Sequence, residues 1–378
     1  MRATDATTTA ITSSFAIFNI AYASGYIVSE SACHSLARAG GLEQLQFIKA
    51  NVPDLLWSHE VTDAAAAGGN LTTLQWLLEN DVPLTTKTAQ AAARGGHVHV
   101  LAWLLRAGVY DKKMFSHAGA GGMTNVLQWL HDIPDKNLRR LGKFSTAVTS
   151  AAATGQVETL KWLIDHGFKT RNHDITAAAQ GGFTECVELI YPHVVVGLCD
   201  DAVNAAAGAG NAALVGWLVD HQFPTDRFTC EIVAKMGDVH LLERIRVRGE
   251  KLNRSICRGA AAGGHLHVLQ YAKDNGYRGG EDACRAAAGG GHLEALKHIH
   301  ADGALLTQFT FTQAARFGDV DVLEWLWQQD CPWSANTYAA AAAGGHLHAL
   351  QWLRERGCQW NAHTITEAAE YGRLDIVM

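Results

Sequence analysis

Histidine, cysteine, tryptophan and arginine recur in this chain at spacings that invite a chemical reading. His97/His99, His265/His267 and His346/His348 are pairs two residues apart. Imidazole nitrogens bind zinc at roughly 2 Å, so such pairs raise the question of a metal centre. Their spacing argues against one. Residues two apart on a helix do not face each other, and equivalent positions on stacked helices lie about 8–10 Å apart. Cys230, Cys257 and Cys284 follow one another at intervals of 27, and Cys331 and Cys358 do the same. That interval reports duplication. It places stacked copies beyond the roughly 7 Å that a disulfide spans. Reduced, structural cysteines in an intracellular, cytoplasmic protein are expected, with no metal and no cofactor.

The candidate interaction residues are aromatic or basic. Trp333 and Trp360 are 27 apart, in CPW and CQW segments. Tryptophans of this kind cover helix ends or anchor a partner. Two basic clusters interrupt the regularity: Lys136, Arg139, Arg140 and Lys143, then Arg244, Arg246, Arg248, Lys251, Arg254 and Arg258. Such clusters attract acidic protein, phosphate or nucleic acid, or are simply solvated. The chain as a whole argues against a nucleic-acid partner. Its 378 residues carry a net charge of -6, and no nucleic-acid-binding motif is present. Enzyme signatures are absent too: no GxSxG, HExxH or GxxxxGK[ST] occurs. The chain is expected not to be an enzyme.

The elements that carry these residues come from an internal repeat, the first thing to seek in any chain. A turn glycine recurs at Gly40, Gly69, Gly96, Gly122, Gly155, Gly182, Gly210, Gly237, Gly264, Gly291, Gly318, Gly345 and Gly372, mostly 27 apart. Three positions before each of these thirteen anchors sits Ala or Gly, and five after it sits Leu or Val. Trp occupies the seventh position in seven copies, Trp76, Trp103, Trp129, Trp162, Trp217, Trp325 and Trp352. Positions two, five and eight after the anchor predict one apolar face of a second helix. The Ala-rich first helix supplies a thin packing partner. Thr88, Thr229, Thr310, Thr337 and Thr364, eight before their anchors, are expected N-caps, and Thr364 with Glu367 forms a capping-box pattern. Gly108, Gly167, Gly249, Gly276, Gly303 and Gly357, twelve after their anchors, suit left-handed C-caps. The segment 7–28 has no charged residue but also no Leu/Ile/Val block, and is read as no membrane span.

The Ala pair, the Gly-His-Leu turn with His97, His265, His292 and His346, the apolar second helix and its closing Gly resemble the ankyrin repeat over residues 31–378. The resemblance is to a short variant, without the finger-like hairpin, like that of arrays in large DNA viruses of amoebae. It implies an all-α, ankyrin-like helix-turn-helix solenoid without long β-hairpin fingers. Residues 1–30 are then a tail or degenerate cap, and 31–378 hold thirteen units, the last incomplete. It also implies a non-enzymatic protein–protein interaction scaffold with an unknown protein partner and unknown oligomeric state, in the host cell if viral. Two alternatives stand beside it. One is a structural or particle-associated protein without a dedicated soluble partner. The other, weaker one is a nucleic-acid-associated protein using the patch at Arg244, Arg246 and Arg248. Trp333, Trp360, Arg139, Arg140 and Lys143 complete the candidate surface.

Overall fold

Each of the twelve anchor glycines from Gly40 to Gly345 separates two short helices in the computed structural model, which describes residues 15–24, 28–52, 55, 57–133, 144–199, 201–249, 252–358, 364, 366 and 370–371. The chain divides into two units, Met1–Val195 and Val196–Met378. The first contains the helix Phe15–Ala23 and then the pairs Glu30–Ala39 with Leu42–Asn51, His59–Ala67 with Leu71–Glu79, Thr86–Gly95 with Val98–Arg106, Met114–Ala120 with Thr124–Asp132, Phe144–Ala153 with Val157–Asp165, and Asn172–Gln180 with Thr184–Ile190. The second contains Ala202–Gly208 with Ala212–Asp220, Arg227–Met236 with Val239–Val247, Ser255–Gly263 with Leu266–Asp274, Glu281–Gly289 with Leu293–Ala301, Gln308–Phe317 with Val320–Gln328, and Ala335–Gly344 with Leu347–Glu355. No strand occurs among the described residues. The architecture is an all-α solenoid of helix-turn-helix repeats.

Within each unit, first helices pack on neighbouring first helices and second helices on second helices, making two layers. The core lies between them. In the Gly318 repeat, Phe311, Ala314 and Ala315 of the first helix and Val322, Leu323 and Leu326 of the second are fully buried. The second helix therefore buries positions four, five and eight after the anchor. This corrects the expected face at two, five and eight: at position two, Leu266 and Leu347 remain 42% and 43% exposed. That residue opens the helix, and helical side chains lean back toward the N-terminus. It therefore lies over the turn instead of the core. Most of the tryptophans at position seven flank the core half-buried, and Trp352 is buried. The helix Phe15–Ala23 adds Phe18, which meets Phe47 edge-on with ring centroids 6.2 Å apart.

The threonines eight before the anchor are not N-caps. Thr85, Asp226, Thr307 and Ser334, three residues earlier, hold that position, and Thr88, Thr229, Thr310 and Thr337 are the fourth members of capping boxes. The Thr85 amide, for instance, donates to Thr88 Oγ1 at 3.1 Å. The helix starts one turn earlier because the box satisfies orphan amides on both sides of its first turn. All four threonines are fully buried. Thr364 is buried as well, while Glu367 lies outside the described residues.

Most second helices close in Schellman geometry. After Ala212–Asp220, the Phe223 amide donates to Leu218 O and the Gln222 amide to Val219 O, both at 3.1 Å. In nine repeats the residue twelve after the anchor takes the left-handed conformation, whereas Val52 and Val194 hold that place with φ of -129° and -119°. Gly fills this place at Gly108 and Gly357, but Asp81, Gln222 and Asp330 hold it with φ of 64°, 65° and 50°. A Cβ in that region costs roughly 1–2 kcal/mol, against roughly 0.5–1 kcal/mol for the extra freedom a glycine loses on folding. Gln222→Gly is expected to raise stability by about 0.5–1 kcal/mol. A higher urea midpoint at unchanged slope would show the gain, and a lower one would contradict it.

Candidate functional site

The turn histidines are inter-repeat staples. The Nε2–H of His97, His265 and His292 donates to the carbonyls of Ala67, Lys235 and Ala262 at 3.0, 2.9 and 3.1 Å. Each carbonyl lies two residues before the previous anchor, at a helix C-terminus where no intrahelical partner is available. Asn70 and Gln156 reach the equivalent carbonyls of Arg38 and Ala120. His99 and His267 bridge one turn further on, to Gly69 and Gly237 at 2.9 Å each. A second tie joins successive first helices. Thr88 donates to Asp63 at 2.7 Å, and Thr229 to Asn204 at 2.6 Å. Burial pushes the Asp63 carboxyl up, with the Thr88 hydrogen bond opposing.

The predicted basic patch is spent within the protein. Arg244 contacts Asp220 at 2.5 Å and donates to Gly216 O at 2.7 Å. Arg246 pairs with Glu243, which also accepts from the Tyr271 hydroxyl at 2.6 Å. Hydrogen bonds from Arg246 and then Tyr271 hold the Glu243 carboxyl down to about 2. Arg248 donates to Val219 O and Phe223 O at 3.2 and 3.1 Å. These arginines sit in or next to one second helix; Arg244 and Arg248 tie it to the repeat before, while Arg246 is held within the helix. Trp333 is half-buried, its ring 5.5 Å from Phe311 and 6.4 Å from Trp352. Trp360, Arg139, Arg140 and Lys143 lie outside the described residues. The described part of the predicted set is therefore Trp333 and the run Arg244, Arg246 and Arg248.

A different surface collects charge. First helices bury positions eight, seven, four and three before the anchor, which turns positions nine, six and two outward except at the buried Ala339 and Ala343. Spacings of three and seven share one helix face. Over the twelve described repeats this stripe carries eight cations: Arg38, Lys87, Arg94 and Lys113 in the first unit, Lys235, Arg258, Arg285 and Arg316 in the second. Only five acids accompany them, Glu60, Asp63, Asp201, Glu231 and Asp282. The whole chain has the opposite balance, 31 basic to 37 acidic residues. Arg258 pairs with Glu231, and Arg316 lies over the Tyr371 ring at 5.9 Å. Lys235 and Arg285 are exposed and enter no ion pair among the described residues. Phe228 and Phe309 stand on the same stripe, 47% and 54% exposed. Reading local runs of charge missed this surface. Its signal is charge counted at fixed distances from each anchor.

A family model described as ankyrin repeats (many copies) matches residues 63–105. No curated protein matches the sequence. Among solved structures, the pentatricopeptide repeat protein PPR10 in complex with an 18-nt psaJ RNA element is similar at 13% identity and a TM-score of 0.44, covering 96% of this chain and 67% of that one. A cysteine-to-serine variant of the same protein with the same RNA element matches with the same values. The expectation of a short ankyrin array of viral type over residues 31–378 is corrected. The ankyrin match ends at 105, and these chain-wide likenesses are to pentatricopeptide repeats. The protein–protein scaffold reading came with the ankyrin family and falls with it. Nucleic acid is no longer set aside as a partner class. No described helix is long and apolar enough to cross a membrane. The chain is a helical-repeat protein.

Proposed function

We propose that the chain is a nucleic-acid-binding solenoid whose contact surface is the outward stripe of its first helices, best developed between Phe228 and Arg316. The observation that carries this reading is the segregation of charge onto that stripe, in a chain that is acidic overall. The exposed rings of Phe228 and Phe309 support it. Single strands are held by cations along the backbone and by aromatic faces under the bases. In this reading residues 31–378 bear the repeats and 1–30 precede them. An intracellular, cytoplasmic setting belongs to the same proposal, supported by eight cysteines that are all buried.

Binding of labelled single-stranded RNA and DNA, followed by fluorescence anisotropy across a salt series, tests the reading. Affinity should fall steeply as salt rises, because phosphate contacts release counterions. Converting Lys235, Arg285 and Arg316 to Glu together should flatten the logarithmic salt slope by about 2, three contacts at roughly 0.7 each. Absence of binding at low salt, or a variant that binds like the parent, would remove the proposal. So would equal binding of polyglutamate, which would show a preference for negative charge of any kind.

A further inference from the structure

We infer that Glu30, His34 and Glu60 form a site for a divalent cation of the zinc class that bridges the first helices of two successive repeats. Glu30 and His34 stand four apart on the helix Glu30–Ala39 and therefore share a face. Glu60 belongs to His59–Ala67, the first helix packed alongside. His34 Nε2 lies 3.8 Å from Glu30 Oε1 and 3.8 Å from Glu60 Oε2. One ligand atom from each of the three residues falls within 4.8 Å of the others.

The two 3.8 Å separations from His34 are too long for hydrogen bonds and suit groups that share an ion. Bonds of roughly 2.0–2.2 Å to zinc separate two ligand atoms by about 3.4 Å in a tetrahedron and at most about 4.4 Å. The imidazole supplies a second, separate observation. His34 Nε2 is shut off from solvent, yet no hydrogen-bond partner reaches it. A buried polar atom left in this way needs an explanation, and a cation held between the ring and the two carboxylates provides one. Ser58, the N-cap of His59–Ala67, donates to Glu30 Oε1 at 2.7 Å. Outer contacts of this kind orient a ligating carboxylate. A cleft beside the cluster, lined by His34, Ser35, Arg38, Glu60, Asp63 and Ala64, gives water room to complete the shell. Mixed imidazole and carboxylate donors suit zinc better than calcium or magnesium, which take oxygen ligands.

The set is particular to this pair of repeats. One repeat later the corresponding positions are His59, Asp63 and Lys87, and an ammonium group at the third place opposes a cation. The bound ion would pin two helices that otherwise meet through alanines and hydrogen bonds.

Zinc chloride titrated into the full chain by isothermal calorimetry tests this. The wild type is compared with His34→Ala, Glu60→Gln and, as a histidine control elsewhere, His240→Ala. The expected result is one equivalent of zinc bound by wild type and His240→Ala, and weakened by roughly a hundredfold or more in the other two, beyond the effect of losing an outer contact. Glu60→Gln keeps side-chain size, and far-UV circular dichroism of each variant reports its fold. Zinc should also raise the melting temperature of wild type and not of Glu60→Gln. Identical titrations for all four proteins, or no zinc binding by the wild type, would overturn the inference. The latter would leave His34 paired with the carboxylates through a proton alone.

Discussion

Leu323→Ala is expected to lower the unfolding free energy by about 2–5 kcal/mol, the range for emptying a fully buried leucine site. Leu323 lies five after its anchor, on Val320–Gln328, and has no exposed surface. Val322 and Leu326 on the same helix and Phe311 on the partner helix are equally buried, so little surrounding structure can close over the space. Each repeat of a solenoid is stabilised by its neighbours, and a cavity here weakens the repeat and its contacts on both sides. Urea denaturation beside the wild type reads the effect. A loss under about 0.5 kcal/mol would fall outside the range for a buried leucine and contradict the packing described.

Gly263→Ala sets two physical effects of opposite sign against each other. Gly263 ends the helix Ser255–Gly263, and helix propensity alone would have alanine stabilise by about 1 kcal/mol. The environment argues the reverse. A Cβ on Gly263 would stand 2.4 Å from Lys235 O and 2.6 Å from His265 Cδ2. Lys235 O is the carbonyl that His265 Nε2–H donates to at 2.9 Å, so the added methyl would enter the gap that the staple closes. Overpacking against backbone costs about 1–3 kcal/mol, and the expected outcome is a net loss of that order. A stability equal to or above wild type in the same urea assay would show that the turn can move aside. Gly95 and Gly344 stand in the same relation to Ala67 O and Arg316 O. The recurrent Gly-Gly-His is therefore a single device: one glycine lets the turn approach the preceding repeat, the next turns the chain, and His97, His265 and His292 bind the carbonyl so approached.

The repeat, the helix pairs and the left-handed turns were legible because each is written in a period or a local run. The anchor glycines take φ values between 72° and 86° over the twelve described copies, as their place between two helices requires. The Leu or Val five after the anchor is buried in all twelve. The capping threonines were placed one turn too late. A threonine can close a capping box from either end, and only the amide geometry at Thr85 and Thr88 distinguishes them. The basic run from Arg244 to Arg248 suggested a patch, because a sequence does not show that Asp220, Gly216 O and Val219 O lie within reach.

The amino-acid order by itself determined the unit: its length, its two helices, its turns and its apolar faces. All of these depend on residues within one period of each other. The tertiary structure decided what each polar side chain does. His97 meets a carbonyl 30 residues away, Arg248 one 29 residues away, and Glu60 comes beside His34 across two helices. Those encounters depend on how one repeat is set against the next. That setting comes from the close approach of alanine and glycine backbones, and a single repeat taken alone carries no record of it.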